Sequence, residues 1–220
     1  MSHTRLFKLT VRQSLTTKTM QGYYRLIHQL DDIVGSMVAQ LKEKKLDRRT
    51  VIIFSSDNGY YMGEYGLADK WYGSQPSVRV PLIVYDPRTN APHGIRSTAL
   101  ALNIDIAPTI LDLAHLPIPS TIQGKSLTKL DQIEARKDFL YEHLWINNDI
   151  YIPSTEGVVN RNFKYMRYFK NADSTHLMFE ELYDLKNDPH ETNNLVNQPQ
   201  EQRLRDSLKC RMWALKKEAR

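Results

Sequence analysis

Three residues in the first third of the chain have types and spacing that suit catalysis: Asp57, Asn58 and Lys70. A carboxylate and an amide carbonyl are hard oxygen ligands, which suit Ca²⁺ or Mg²⁺ and suit Zn²⁺ poorly. Lys70 follows Asp57 closely enough for the intervening loop to return its ammonium to such a metal, where it would neutralise a leaving oxygen or an oxyanion. Taken alone, however, Asp-Asn-Gly is more often a tight turn, with Lys70 a solvated surface residue.

Two apolar segments are predicted to position these residues. Val51–Phe54 is rich in β-branched residues and is typical of a strand buried on both faces. The acid–amide pair follows its carboxyl end, which is the edge where open α/β sheets bind ligands. A second buried strand is predicted at Pro81–Tyr85, and the glycine-rich loop between the two strands carries Lys70. Apolar residues at helical spacing predict a helix over residues 18–45, and this helix–loop–strand order favours a mostly parallel sheet.

The chain beyond Asp86 changes character twice. Ser97–Leu102 is predicted to be a short strand, and Asp105 is predicted to be the N-cap of a helix that continues to about Ala114. Pro117–Pro119 then marks the expected boundary between two domains, residues 1–118 and 119–220.

The second domain is predicted to be a small antiparallel sheet followed by a terminal helix. Short runs of aromatic and β-branched residues separated by turn formers predict its strands. An apolar stripe over residues 200–219 predicts the helix. Glu142, His143 and His176 are interpreted as polar residues at the sheet edge rather than as substrate contacts. The predicted strands are Asp138–His143, Glu156–Val159, Phe163–Phe169 and Glu181–Leu185.

Several sequence blocks resemble one known family. The segment FSSDNGYYMGEYGLADK, followed by SVRVPLIVYDP, resembles the metal-and-lysine segment of the type I sulfatases, which are members of the alkaline-phosphatase-like superfamily. YYRLIHQLDDIVGSMVAQL resembles the helix before that segment, and NIDIAPTILDLAHLPIP resembles the block after it. EGVVNRNFKYMRYF and ELYDLKNDPHETNNL resemble the carboxyl-terminal subdomain of the family, so that the resemblance covers roughly residues 20 to 197 in the family's order.

The resemblance implies a fold, a reaction and a role for each candidate residue. The expected fold is α/β: part of an alkaline-phosphatase-like, mostly parallel sheet with flanking helices, followed by the small antiparallel sheet and terminal helix. The expected reaction is hydrolysis of a sulfate ester or sulfamate of a small molecule or glycan. Asp57 and Asn58 match the family's second pair of metal ligands, for a cation that is usually calcium. Lys70 matches the lysine that contacts the sulfate and assists the leaving oxygen. Complete members of the family are periplasmic, secreted or lysosomal.

Other parts of the family's site have no match in this sequence. The family's nucleophile is a cysteine within C-x-P-x-R that is oxidised to formylglycine. The single cysteine here, Cys210, is followed by Arg-Met-Trp-Ala instead. We therefore expect roughly the carboxyl-terminal 40% of a sulfatase, inactive alone, with its metal completed by ligands from the missing amino-terminal half.

Two alternatives stay open at this point. One is a phosphatase or phosphodiesterase of the same superfamily, and the other is a non-catalytic binding module or remnant. Departures such as Tyr65, where relatives carry a histidine, and Val159, where they carry an arginine, put substrate recognition in doubt. The net charge of +5 comes from scattered basic residues, so nucleic-acid binding is not expected. No apolar run approaches the length of a membrane span, and the sequence does not indicate an oligomeric state.

Overall fold

The computed structural model describes residues 17–88, 94–129, 133–146 and 152–219. It forms two compact units. The first comprises residues up to Lys70 together with Pro76–Ile95, and the second comprises Trp71–Gln75 together with Arg96–Arg220. The predicted boundary after residue 118 falls within the second unit and stays a prediction about a longer protein.

The first unit contains one long helix and two short strand pairs. The helix α1 (Thr17–Glu43) confirms the prediction for residues 18–45 within two residues at each end. Strands β1 (Ile52–Ser55) and β4 (Leu82–Tyr85) pair with each other, and the loop between them contains a hairpin of β2 (Tyr61–Met62) and β3 (Ala68–Asp69). The four-residue helix α2 (Gln75–Val78) lies where the chain returns from the second unit to the first.

The pairing of β1 with β4 is antiparallel, with Ile52 opposite Tyr85 and Ser55 opposite Leu82. All strand pairs in the described parts of the chain are antiparallel, which differs from the parallel pairing that we expected here. A parallel pair needs a long crossover, usually a helix. The β1–β4 connection contains the small hairpin and the four-residue α2 but no crossover helix, and β4 runs back beside β1.

The prediction that β4 is buried was wrong. Ile83, Val84 and Tyr85 are 58%, 39% and 47% exposed. Burial of a strand depends on the layers that pack against its faces, and in the described structure these three side chains remain partly open to solvent. The apolar composition of β4 correctly predicted a strand, but it does not show which elements pack against that strand.

From Arg96 the second unit continues with a loop and a short helix, α3 (Ile106–Leu113). The strand predicted at Ser97–Leu102 does not form. Its backbone groups bond locally or to side chains: Ala99 N–H to Ser97 Oγ, and the Leu100 carbonyl to the Arg136 guanidinium. These bonds use backbone groups that a strand ladder over this stretch would need.

Asp105 has a larger role than the predicted N-cap of α3. It lies directly before the helix but makes no side-chain cap bond to it. Its fully buried carboxylate instead accepts the Leu102 N–H at 2.7 Å, the Lys125 N–H at 2.8 Å and a bidentate pair of bonds from Arg136 at 2.6 Å each. A single carboxylate thus joins three loops of the unit.

The carboxyl-terminal sheet confirms its prediction. It has four antiparallel strands in the order β5 (Asp138–His143), β6 (Ser154–Asn160), β7 (Phe163–Phe169) and β8 (Leu177–Asp184). The terminal helix α4 (Gln202–Glu218) lays its apolar stripe on one face of this sheet. The core between them consists of Val158, Tyr165, Leu182, Val196, Leu208 and Met212.

Candidate active-site segment

The turn after β1 depends on a glycine. Gly59 donates its N–H to the Ser77 carbonyl at 2.7 Å, and a Cβ at this position would lie 2.0 Å from the Pro76 carbonyl oxygen. Only a residue without a side chain lets the two backbones approach this closely. The contact holds the residues immediately before Gly59, which are the acid–amide pair, at the end of β1.

Asn58 and Lys70 meet in this turn. The Lys70 ammonium donates a hydrogen bond to Asn58 Oδ1 at 2.9 Å, while Asn58 Nδ2 donates to the Gly59 carbonyl at 2.7 Å. Asp57 is exposed, and its Oδ1 accepts the Asn58 N–H at 2.9 Å. The loop therefore returns the lysine to the acid–amide pair.

The backbone around Lys70 is strained on both sides. Asp69 and Trp71 have φ values of 76° and 93°, in the left-handed region that non-glycine residues rarely adopt. Before them, the β2–β3 hairpin pairs Tyr61 with Asp69 and is anchored by the buried side chains of Tyr61 and Leu67. Conformations of this kind persist where the surrounding structure imposes them, and they cluster at functional sites.

The donor set fits part of a hard-cation site. An amide oxygen has two lone pairs, so Asn58 Oδ1 can accept from Lys70 and still face a cation beside Asp57. Calcium takes six to eight oxygen ligands, and the described residues contain no group of three or more His, Cys, Asp or Glu that could hold a metal. Asp57 and Asn58 thus offer two oxygen donors of the kind that a hard cation takes.

Comparison with known proteins places these features in a family. Residues 63–218 match the family "N-sulphoglucosamine sulphohydrolase, C-terminal", and residues 4–116 match the family "Sulfatase"; each match covers more than half of the chain. The chain belongs to the sulfatase family. This membership confirms the resemblance seen in the sequence.

Individual relatives support the same assignment. The chain is 30% identical over 182 residues to an N-acetylglucosamine-6-O-sulfatase of Bacteroides thetaiotaomicron, covering 80% of this chain and 32% of that protein. It is also 30% identical over 194 residues to PehA of Trinickia caryophylli, a multifunctional protein of the alkaline phosphatase superfamily, covering 80% of this chain and 36% of that protein. This sulfatase-family chain thus spans about a third of the length of these curated relatives.

A solved structure with a bound substrate has the same fold. It is a complex of a protein with its substrate D-glucosamine-2-N,6-O-disulfate, and it superposes on this chain with a TM-score of 0.81 at 27% identity. The superposition covers 91% of this chain and 41% of that protein. The predicted alkaline-phosphatase-like α/β fold of this sulfatase-family chain is confirmed, with the small antiparallel sheet and terminal helix. The expected parallel pairing is not seen among the described strands.

Sequence reasoning missed a cluster of rings that begins directly after Lys70. The Trp71 ring lies 4.8 Å from that of Trp145 and 5.8 Å from that of His143, centroid to centroid. Burial lowers the pKa of His143, which favours its neutral form. His176 lies elsewhere, exposed and bonded to Asp173. A tryptophan after the key lysine was the available signal, but its partners are more than seventy residues away.

Sequence reasoning also missed a buried ion pair between Lys164 and Glu191 in the second unit. Lysine in an aromatic strand gives no sign that its ammonium is buried.

None of the helices in the described parts of the chain is long and apolar enough to cross a membrane. Cys210 is an exposed residue of α4.

Proposed function

We propose that this chain is the carboxyl-terminal part of a sulfatase that hydrolyses a sulfate ester or sulfamate of a sulfated sugar. The observation that carries the proposal is the 2.9 Å bond between the Lys70 ammonium and Asn58 Oδ1 at the carboxyl end of β1. The sugar class is supported by the names of the relatives, one a sulfatase of N-acetylglucosamine and one bound to a disulfated glucosamine.

In this proposal Asp57 and Asn58 contribute two oxygen ligands to one calcium ion. When bound, the ion supplies positive charge against the sulfate oxygens. Asn58 orients Lys70 through its amide oxygen, and the Lys70 ammonium donates a proton or hydrogen bond to the leaving oxygen. Charge that develops on that oxygen is stabilised by a donor already in place.

The nucleophile of the proposed reaction comes from a part of the protein beyond this chain, as do the remaining metal ligands. The complete protein would act in the periplasm, outside the cell or in a lysosome, where sulfated glycans occur. No nucleic acid takes part.

One observation favours a second candidate, a phosphatase or phosphodiesterase: the identity to PehA equals that to the sulfatase. The oxygen donors Asp57 and Asn58 favour the first candidate, because transition-metal sites are richer in histidine. Metal preference separates the two. Calcium-dependent cleavage of 4-nitrophenyl sulfate supports the sulfatase, and zinc-dependent cleavage of 4-nitrophenyl phosphate supports the alternative.

The first experiment assays the purified chain with both 4-nitrophenyl esters, each in calcium and in zinc. We expect no turnover above buffer, since the chain would supply only half of the site. Turnover that Lys70→Ala abolishes would show that the nucleophile lies within these residues, and the half-site proposal would be wrong.

The second experiment uses the coding sequence around this chain. If a C-x-P-x-R cysteine lies upstream, we expect the longer protein to cleave the sulfate ester. Lys70→Ala should then lower kcat by about 10²- to 10³-fold, the usual effect of removing one charge-stabilising donor. The exposed Lys44 is the matched control, and Lys44→Ala should leave kcat unchanged. If Lys70→Ala leaves kcat unchanged as well, the assigned role of Lys70 is wrong. If no C-x-P-x-R cysteine lies upstream, the result favours the alternative of a non-catalytic binding module.

A further inference from the structure

The five residues after Lys70 are held by two charged side chains of the second unit. The Lys164 ammonium donates to the Gly73 carbonyl at 2.8 Å, and Glu191 Oε2 accepts the Gln75 N–H at 2.9 Å. Lys164 and Glu191 also form a direct ion pair. The pair thus grips one peptide segment at two points, while its own charges neutralise each other.

This ion pair is deeply buried. Lys164 is fully buried and Glu191 is 5% exposed. Burial lowers the pKa of Lys164 against the opposing effect of Glu191. Well-packed apolar residues commonly stabilise a protein as much as a buried ion pair does, or more. Stability alone therefore does not explain why two charged side chains are buried here. The hydrogen bonds that they make to the segment do explain it.

A strained turn aims Glu191 at the segment. Glu191 has a φ of 54°, in the left-handed region. The turn around it is closed by the Asp188 carboxylate, which accepts the Thr192 N–H at 3.1 Å and the Asn193 N–H at 2.9 Å. It is tied to β8 by Asn194 Oδ1, which accepts the Leu182 N–H at 3.0 Å. The Asp-Pro-x-Glu-x-x-Asn pattern of the sequence is thus the scaffold of this one carboxylate.

The segment itself is shaped to reach the pair. A Cβ on Gly73 would lie 3.0 Å from Met166 Cε and 3.3 Å from Tyr141 Cε1. A larger residue would therefore press on Met166 of β7 and Tyr141 of β5, whose side chains would have to shift by a few tenths of an ångström. Glycine avoids this contact at the residue whose carbonyl accepts the Lys164 bond.

We propose that Lys164 and Glu191 are positioning residues for Lys70. They hold the backbone that follows it, and so limit the conformations from which its ammonium reaches the Asn58 amide. The link is covalent, because Trp71 is the first residue of the held segment and the next residue after Lys70. The inference rests on the proposed role of Lys70. It assigns a function to the turn around Glu191 that the sequence around Lys164 or Glu191 does not indicate.

The test measures local opening of the segment by native-state proteolysis of the chain. Trypsin cuts after lysine, so cleavage of the Lys70–Trp71 bond reports opening there, and cleavage after Lys209 in α4 reports unfolding of the second unit. We expect Glu191→Ala and Lys164→Met to raise the first rate relative to the second by about tenfold or more, since cleavage follows the population of the open form. Glu191→Gln keeps an acceptor for the Gln75 N–H and should raise that ratio less.

Asp105→Asn is the matched control. It weakens another buried ion pair of the same unit, Asp105–Arg136, which makes no bond to the held segment. It should raise both cleavage rates together. If Glu191→Ala also raises both rates together, or neither, the pair does not hold the segment and the proposal is overturned. Glu191→Gln keeps an acceptor for the Gln75 N–H. If Glu191→Ala fails to fold, the two cleavage rates can therefore still be compared in Glu191→Gln.

A kinetic measurement separates this inference from the proposed function. In a longer, active protein, Glu191→Gln should lower kcat while KM changes by less than about twofold, as for an interaction used in the transition state. Asp105→Asn should leave kcat per folded molecule unchanged. An active protein whose kcat is insensitive to Glu191→Gln overturns the positioning role. If the longer protein has no sulfatase activity, the proposed function fails, while proteolysis still decides whether the pair holds the segment.

Discussion

At the scale of single residues, the chain uses hydrogen-bond acceptors to place charges. Asn58 Oδ1 accepts from Lys70, and the Glu191 carboxylate accepts from both Lys164 and a backbone N–H. Asn58 Oδ1 keeps a second lone pair for a potential cation, and the two oxygens of Glu191 accept from one donor each. Side chains of this kind specify geometry more than they add stability, because their desolvation offsets much of what their bonds contribute.

Asp173 gives a direct test of this principle outside the proposed site. Its carboxylate accepts the Thr175 hydroxyl at 2.6 Å, the Thr175 N–H at 3.0 Å and a ring nitrogen of His176. The Thr175 hydroxyl contributes most to lowering the pKa of Asp173 from 3.8 to about 2. The turn is therefore favoured at pH values above 3.8, and this contribution is lost as the pH falls through about 2.

We expect Thr175→Val to raise the pKa of Asp173 toward 3.8, because valine cannot donate a hydrogen bond. Titration of the Asp173 carboxyl carbon by NMR measures the value. Thr192→Val, which removes an equivalent hydroxyl from the Asp188 turn, should not change it. An unchanged pKa in Thr175→Val would show that the hydroxyl is not the main cause.

At the scale of elements, the sheet of the second unit depends on close approach between β6 and β7. Gly157 on β6 lies opposite Met166 on β7. A Cβ on Gly157 would lie 2.2 Å from Met166 Sδ and 2.3 Å from the Tyr165 carbonyl oxygen. One of these atoms is backbone within a ladder, so a rotamer change of Met166 would not relieve the clash.

Gly157→Ala should therefore destabilise the second unit by about 1–3 kcal/mol, the usual range for overpacking a core. Urea unfolding monitored by tryptophan fluorescence measures the change. Gly22→Ala is the control: nothing lies within 4 Å of a Cβ at that position of α1. Alanine there should stabilise the helix by about 0.5–1 kcal/mol. A Gly157→Ala chain with an unchanged midpoint would contradict the close approach of β6 and β7.

At the scale of the whole molecule, apolar surface is distributed unevenly. The 27-residue helix α1 has no buried residue, and Leu26 and Met37 are 65% and 60% exposed. The strand β4 is similarly uncovered, whereas the sheet of the second unit has a packed core. Large exposed apolar surfaces usually mark an interface or lead to aggregation. We therefore expect the isolated chain to be marginally soluble, as its exposed strand pair also suggests.

The double substitution Leu26→Glu/Met37→Glu should lower binding of the dye ANS and light scattering by the chain. It should change the free energy of unfolding by no more than about 0.5 kcal/mol, because neither side chain is buried. Gln21→Glu/Gln29→Glu adds the same charge to α1 without removing apolar surface, and should affect dye binding less. Equal effects of the two double variants would show that charge, not apolar exposure, controls association.

Much of the fold could be predicted because its signals are local. The periodicity of apolar residues located α1 and α4, and alternating aromatic runs located the four strands of the second unit. The candidate site was recognised from a contiguous segment that contains Asp57, Asn58 and Lys70. The errors arose where partners are remote in sequence. Residues 97–102 do not form the predicted strand, and the Leu100 carbonyl instead accepts a hydrogen bond from Arg136. Asp105 binds the same arginine instead of capping α3.

The family, the order of the main elements and the three residues of the proposed site could all be inferred from sequence, because these depend on neighbouring residues in the chain. Only the folded chain reveals that β4 runs antiparallel and exposed, and that Lys164 and Glu191 meet at the segment that follows Lys70. The physical reason is that burial and ion pairing depend on which side chains come together across the fold. Gly73 and Lys164 are ninety-one residues apart, and no local pattern records that their backbone and ammonium lie 2.8 Å from each other.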